Sequence, residues 1–399
     1  MLNFSVAREM EVGPEKDINT LQQAFDRAED GDTISVYGGR YQESPLILEN
    51  QVTLLGHDRP VIDGEHQHEV LKILADSVHV EGFRVVGSEV SHTADNAALR
   101  FDRAEGGKVV NNELDSNFFG IYLAKAHGME IRDNKITTYA VRETKAANGI
   151  HLWNTDDVEV SDNYIRGHRD GIYFEYVENS VISNNVSEEN LRYGLHFMFS
   201  DSCTYEHNKL IDNGAGVAVM YSDHVLMKEN EFLDNWGRTS YGLLLKDIND
   251  SHIEHNIFRN NTIGIRADGC DRTTVKRNSF RQNGWAINIR SNSMDNLFTE
   301  NNFINNTFDV GTNAQQNHSD FNYNYWHAYD GFDLDGDGKG DVPHRPVRLF
   351  SLIIEQNPTA LILLRSVFIE ILDMAERIIP MLTPETLVDE EPAMKPFEI

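Results

Sequence analysis

Gly171-Ile172-Tyr173-Phe174-Glu175, followed after a polar turn by Val181-Ile182-Ser183-Asn184-Asn185, is the stretch on which the fold turns. Apolar side chains alternate along it, the period-two signature of strands with one buried face. The unit recurs. A small residue ahead of alternating apolar positions stands at Gly120, Gly149, Gly171, Gly194, Gly216, Gly242, Gly264 and Ala286, at spacings of 29, 22, 23, 22, 26, 22 and 22. An Asn followed closely by an apolar residue stands at Asn112, Asn134, Asn163, Asn185, Asn208, Asn230, Asn256, Asn278 and Asn302, at spacings of 22, 29, 22, 23, 22, 26, 22 and 24. Both series share one basic unit and the same two insertions, near Tyr139 to Asn148 and Gly237 to Tyr241. A unit built from short strands alone is too short for a propeller blade and lacks the helix of a leucine-rich horseshoe. It fits one coil of an all-β, right-handed parallel β-helix, whose coils stack ~4.8 Å apart. The recurring Asn then forms an amide ladder along one corner.

Outward from this block the same reading holds. Of the ten prolines none lies between Pro60 and Pro343, as uninterrupted inter-strand hydrogen bonding requires. Leu21 to Ala28 predicts an amphipathic helix covering the open end of the stack, and Gly31 to Val36, Val52 to Gly56 and Val61 to Gly64 predict the first coils. These opening segments resemble those of secreted pectate-lyase-like β-helices, which implies an exported protein. The expected organisation is a cap with first coils over 1–60, the β-helix over 61–320, an Asp/Gly-rich segment over 321–350, and a helical tail over 351–399. The 35 Lys and Arg against 64 Asp and Glu leave a net charge of −29, which repels a phosphate backbone and argues against nucleic-acid binding. Two cysteines, Cys203 and Cys270, make no disulfide framework and are expected to be unpaired. The longest apolar runs, such as Ala360 to Leu364, fall far short of the ~20 residues of a membrane span. Met1 to Met10 lacks the basic and apolar regions of a secretory leader, so the chain is read as cytoplasmic or as lacking a leader already removed.

Counting from each glycine, the first and third positions are apolar and fill the interior, as in Ile150/Leu152, Ile172/Phe174 and Leu195/Phe197. The second and fourth positions point outward and read Tyr122/Ala124, His151/Trp153, Tyr173/Glu175, His196/Met198, Ala218/Met220, Leu244/Lys246, Arg266/Asp268 and Asn288/Arg290. Outward aromatic and thioether columns predict an exposed binding patch. Thioether with imidazole is a soft-to-borderline ligand set that favours copper, particularly Cu(I). His196, Met198 and Met220 are the expected core ligands, His151 the fourth, with Trp153 and Tyr173 shielding and Glu175 beside them. The alternative is a patch covered by a partner protein or by the Tyr139 to Asn148 insertion.

Asn154-Thr155-Asp156-Asp157 and Gly167-His168-Arg169 are similar to parts of the polygalacturonase active-site pattern, but its second aspartate pair, Gly-His-Gly and Arg-Ile-Lys are absent. Glycoside hydrolysis needs two carboxyl groups across the sugar, and catalysis is not expected. Asp333, Asp335, Asp337 and Asp341 occupy positions 1, 3, 5 and 9 of an EF-hand-like loop with Gly338 at 6, a candidate Ca²⁺ clamp lacking its position-12 Glu, where His344 stands. The alternative is an acidic glycine turn without an ion. Pro358 to Ile379 predicts an amphipathic helix presenting Leu361, Leu364, Phe368, Ile371 and Leu372, either to cap the β-helix or to dock a partner.

Asn324-Tyr325-Trp326 with Tyr329-Asp330-Gly331, the Asp/Gly loop to Asp341, and Leu363-Leu364-Arg365-Ser366 through Pro380-Met381-Leu382-Thr383-Pro384-Glu385-Thr386-Leu387 resemble the C-terminus of the NosD family, maturation factors of nitrous oxide reductase. The resemblance covers essentially the whole chain. It implies a periplasmic accessory protein, without enzymatic activity, of an ABC-transporter complex with NosF- and NosY-type subunits, which helps supply copper to the reductase from a NosL-type copper chaperone. The missing leader departs from the family and is read as its removal from the mature chain. The resemblance assigns no metal ligands. The competing reading is an extracytoplasmic carbohydrate-binding or polysaccharide-modifying β-helix protein.

Overall fold

The computed structural model describes residues 7–91, 93–314, 318–364, 366–378 and 387–399. It turns the period-two alternation into three short parallel strands per coil, and the chain divides into two compact units, Met1–Lys209 and Leu210–Ile399.

In the first unit, strands Ala97–Asp102, Phe119–Ala124, Ile150–Asp156, Asp170–Glu178 and Tyr193–Met198 follow one another in parallel, in the register Leu99, Ile121, Ile150, Ile172, Leu195. Those five side chains and their partners two residues on are buried and form the interior. The marker glycines are explained by proximity. A Cβ on Gly149 would lie 2.7 Å from the Gly171 carbonyl oxygen and 2.5 Å from a methyl of Ile165. The open end is closed by helix α1 (Leu21–Phe25), shorter than expected, whose first N–H groups are held by the Glu43 carboxylate at 2.9 and 3.0 Å and by the Thr20 hydroxyl.

The Asn ladder is present. Asn134 donates to Asn163 Oδ1 at 3.0 Å, Asn163 to Asn185 at 3.0 Å, and Asn185 to Asn208 at 3.0 Å, while each Nδ2 also reaches a strand carbonyl. Asn185, out of pattern by its follower, is a regular member. The residue just before each of these, from Asp133 to His207, has positive φ, which makes the corner.

In the second unit the corresponding register is Val217, Leu243, Ile265, Ile287, Val310. Its interior carries a parallel ring stack, Phe232, Phe258, Phe280, Phe303 and Trp326, at centroid spacings of 4.4, 4.9, 5.1 and 4.1 Å. The ladder member here is Asn301, not Asn302, and coiling does not stop there: Asn301 donates to Asn324, and the strand Tyr325–Trp326 pairs with Asn302–Ile304. Asp389 then takes the next ladder place, accepting from the N–H of Tyr323 and Asn324 at 3.0 Å and from the Trp326 indole at 2.9 Å. The stretch Leu387–Ile399 is therefore a fitted end piece, with Phe397 and Asn302 exchanging two hydrogen bonds of 2.9 Å.

The expected single helix is broken. Helix α2 (Leu349–Gln356) precedes a 3-10 turn over Pro358–Leu363, and helix α3 is Val367–Ile378. Pro358 lacks an N–H and forces Asn357 out of helical conformation, at φ −140. Helix α2 lies on the outward positions of the second unit: Glu355 binds Asn288 and Arg290, and Phe350 and Ile354 pack with Phe308 and Ile369. Leu364 and Leu372 join that cluster, whereas Leu361, Phe368 and Ile371 stay exposed, the last two at 56% and 62%. One face of this segment packs on the β-helix, as the capping reading expects, and the other is open.

Candidate functional site

The column predicted on the outward face of the first unit exists, but it is buried. Tyr122, His151, Tyr173 and His196 stack edge-on or tilted, with ring centroids 4.5, 4.9 and 4.8 Å apart, and all four are below a tenth exposed. The expectation of an open patch fails because other segments of the chain lie over it. The Tyr139 to Asn148 insertion brings Ala147 against Phe118, Phe119 and Tyr122, and Asn148 Nδ2 contacts His151 Nδ1 at 2.9 Å. Its outer part, Tyr139 and Val141, is exposed.

Burial governs the chemistry here. It pushes His151 down to about 3, with the Arg169 charge adding to it, and pushes the Tyr173 phenol up to about 12. Both rings are neutral at physiological pH. His151 and His196 are not brought together: the Tyr173 ring stands between them, so one ion, which needs nitrogen ligands ~2 Å away, does not bind both. His196 and Met198 are on one strand, two residues apart, and the Tyr173 hydroxyl donates to the Met198 thioether at 3.5 Å. Met198, Glu175 and Trp153 form the half-exposed neighbouring column in the register Trp153, Glu175, Met198, with Lys125 over the indole at 5.2 Å. Met220 ends a strand of the second unit, half-exposed, opposite Lys246.

Sequence reading missed the charged group beside the column. Asp170, fully buried, is gripped by Arg192 through Nε–Oδ1 at 2.8 Å and a second Nη2–Oδ2 contact, and its Oδ2 lies 3.3 Å from His196 Nδ1. Burial by itself raises the Asp170 carboxyl, but Arg192 and His196 outweigh it and hold it below the ordinary carboxylate range. His196 Nε2, also buried, has no hydrogen-bond partner among the described residues. The only sequence signal was a polar residue ahead of Gly171, indistinguishable from a turn residue.

Tyr176 and Phe199, also missed, stack in parallel at 5.1 Å and 9°, exposed by 50% and 38%, each at positive φ where bulky residues are rare. They follow Glu175 and Met198 directly.

The polygalacturonase-like residues do not converge. Asp156 pairs with His127, whereas His168 is buried inside the coil, pushed down to about 4 by burial. In the acidic loop, carboxylate oxygens of Asp333, Asp335 and Asp337 lie within 4.8 Å of one another, but Asp341 instead accepts from Leu334 N–H at 2.6 Å. His344, half-buried, lies tilted against Trp326 with ring centroids 5.0 Å apart. The Asp333 oxygens already accept from Gly336 and Gly338 N–H at 2.7 and 3.0 Å, so the turn has backbone support of its own. Both cysteines are buried and free, their thiols pushed up to about 12 by burial. Among the described residues no helix is long and apolar enough to cross a membrane.

Residues 136–331 match the family described as "Periplasmic copper-binding protein (NosD)". Two curated relatives are each named "Probable ABC transporter binding protein NosD". The Pseudomonas aeruginosa protein is 29% identical over 388 residues, 92% of this chain and 90% of its own. The Stutzerimonas stutzeri protein is 28% identical over 378 residues, 90% and 85% of the two chains. Among solved structures, the Family 28 exopolygalacturonase of Yersinia enterocolitica superposes with a TM-score of 0.61 at 12% identity, covering 80% of this chain and 79% of that one, a likeness of fold.

Proposed function

This chain belongs to the NosD family, and from that premise we propose that it is a periplasmic accessory protein of an ABC-transporter complex, assisting copper delivery and copper-site assembly in nitrous oxide reductase. The ion is cargo. Its station is His196 with Met198; Tyr173 and Trp153 shield it and Glu175 supplies negative charge at the rim. The observation that carries this reading is a buried imidazole whose Nε2 has no partner, on the same strand face as a half-exposed thioether. Imidazole with thioether suits Cu(I) and is poor for hard cations.

Partners of the NosF and NosY type fit the exposed apolar side of the C-terminal segment, where Ile362, Val367, Phe368, Ile371 and Met374 stand clear of the cap. A NosL-type chaperone as copper donor fits the acidic surface, since −29 favours a cation-bearing partner.

The test is a Cu(I) competition titration of His196→Ala/Met198→Ala. Weakened binding with an unchanged circular dichroism spectrum is expected, and wild-type affinity would sink the reading. Turnover of pectin or alginate by the wild-type chain would instead favour the polysaccharide reading.

A further inference from the structure

His196 is the imidazole of the column that touches a carboxylate. Asp170 Oδ2 is 3.3 Å from His196 Nδ1, and Asp170 is locked by the two-point grip of Arg192. The ring is clamped between Tyr173 and Tyr193, with centroids at 4.8 and 4.7 Å, so it cannot turn to exchange its two nitrogens. Its other nitrogen is buried and faces no protein donor or acceptor among the described residues.

Two neutral tautomers compete. With the proton on Nε2, a buried N–H has no acceptor, the costlier kind of unpaired group, and Nδ1 faces a carboxylate lone pair. With the proton on Nδ1, the N–H donates to Asp170 and Nε2 carries only a lone pair. Arg192 Nη2, 3.4 Å from Nδ1, does not reverse this, because its nearer acceptor is Asp170 Oδ2. A carboxylate behind an imidazole is also the arrangement that fixes tautomer and raises basicity at metal-ligating histidines.

We propose that Asp170 is a positioning residue: it holds His196 as the Nδ1–H tautomer and so presents the Nε2 lone pair to a soft cation, while the two-point contact with Arg192 keeps Asp170 oriented. This rests on the copper reading above for the identity of the cation, but not for the tautomer. In Asp170→Ala the acceptor of Nδ1–H is gone, and the freed Arg192 Nη2, 3.4 Å from Nδ1, becomes its donor and drives the proton to Nε2.

Long-range ¹H–¹⁵N correlation spectra of histidine-labelled protein, with His196→Gln for assignment, read the tautomer directly in the metal-free chain. The expected result is Nδ1–H in the wild type and Nε2–H in Asp170→Ala, with Cu(I) affinity about 10- to 100-fold weaker in the variant. An Nε2–H tautomer in the wild type overturns the proposal whatever the protein binds, and this measurement needs no variant to fold. An Nδ1–H wild type whose Cu(I) affinity is untouched by His196→Ala supports the tautomer assignment and sinks the copper station instead.

Discussion

Mild acid should destabilise the first unit, through two histidines that it buries neutral. In the unfolded chain His151 and His168 titrate near their ordinary value of 6.5, whereas in the folded chain burial pushes them to about 3 and about 4. Between those values the unfolded state binds more protons, so stability falls as pH drops. It is complete above pH ~6.5 and is lost progressively towards pH ~3. At pH 5 each imidazole lies about 1.5 units below its unfolded value, which at 1.36 kcal/mol per unit costs about 2 kcal/mol each and about 4 kcal/mol together. Neither group is appreciably exposed, so solvent screening does not discount this. The assay is urea unfolding at pH 7.5, 6 and 5, compared with His168→Asn. His168 N–H donates to Asn190 Oδ1 at 3.1 Å, the place an Asn holds in neighbouring coils, so the substitution fits the site. It should remove about half of the acid loss without harm at pH 7.5. A wild-type stability flat from pH 7.5 to 5, or a variant with the full wild-type slope, refutes the buried-neutral reading.

Two further outcomes follow from the ends of the chain. Asp389→Ala strands the N–H groups of Tyr323 and Asn324 and the Trp326 indole in a buried site, and at about 1–3 kcal/mol per orphaned donor the three should cost at least about 3 kcal/mol. Its denaturation midpoint checks this, and a change under 1 kcal/mol means the tail is not the ladder's terminus. Phe368→Ser/Ile371→Ser should leave stability within about 0.5 kcal/mol, both side chains being exposed, yet abolish co-purification with the transporter. Leu372→Ser is the converse control, since Leu372 packs on the cap; a transporter complex that survives the first pair refutes docking through this face.

Coil length and the first ladder were legible because both repeat locally, every 22 or so residues. The second ladder was equally periodic, yet it was missed. Asn213, Asn235, Asn261 and Asn283 each lie five residues after a first-ladder Asn, and each Nδ2 from Asn235 to Asn283 reaches the next Oδ1 at 2.9–3.1 Å. Ile263 and Trp285 follow Asn261 and Asn283 two residues on, as in the first series, so the signal was present; these Asn passed as turn residues because they stand just ahead of the marker glycines. His168 occupies that slot after Asn163, which is why it looked like a motif and is a core residue. The cover over the column was illegible for another reason. Ala147 reaches Tyr122 only because an insertion folds back, and no periodicity records where an insertion goes. Asp170 and Arg192 are 22 residues apart, one coil, so their pairing was visible in principle once the register was fixed.

What lies over the outward positions decides which side chains they carry. In the second unit helix α2 covers Asn288 and Arg290 and answers them with Glu355, so polar and charged groups persist under cover. In the first unit Ala147 and Asn148 lie over Tyr122 and His151, while Asp95 hydrogen-bonds the Tyr122 hydroxyl and Arg100 stands over its ring at 4.9 Å. Ionising a ring of the column would place a charge in a desolvated site, at a cost. Phenol and imidazole escape that penalty because each is neutral when desolvated. At His196 Asp170 and Arg192 form a buried pair, and there the cover gives way to the half-exposed Met198. A soft cation arriving from solvent therefore meets the thioether first and the imidazole second. That order makes Met198→Leu a slow-loading variant and His196→Ala a weak-holding one, a split that stopped-flow Cu(I) transfer resolves. Equal loss of rate and affinity in both variants would mean that the two side chains do not act in sequence.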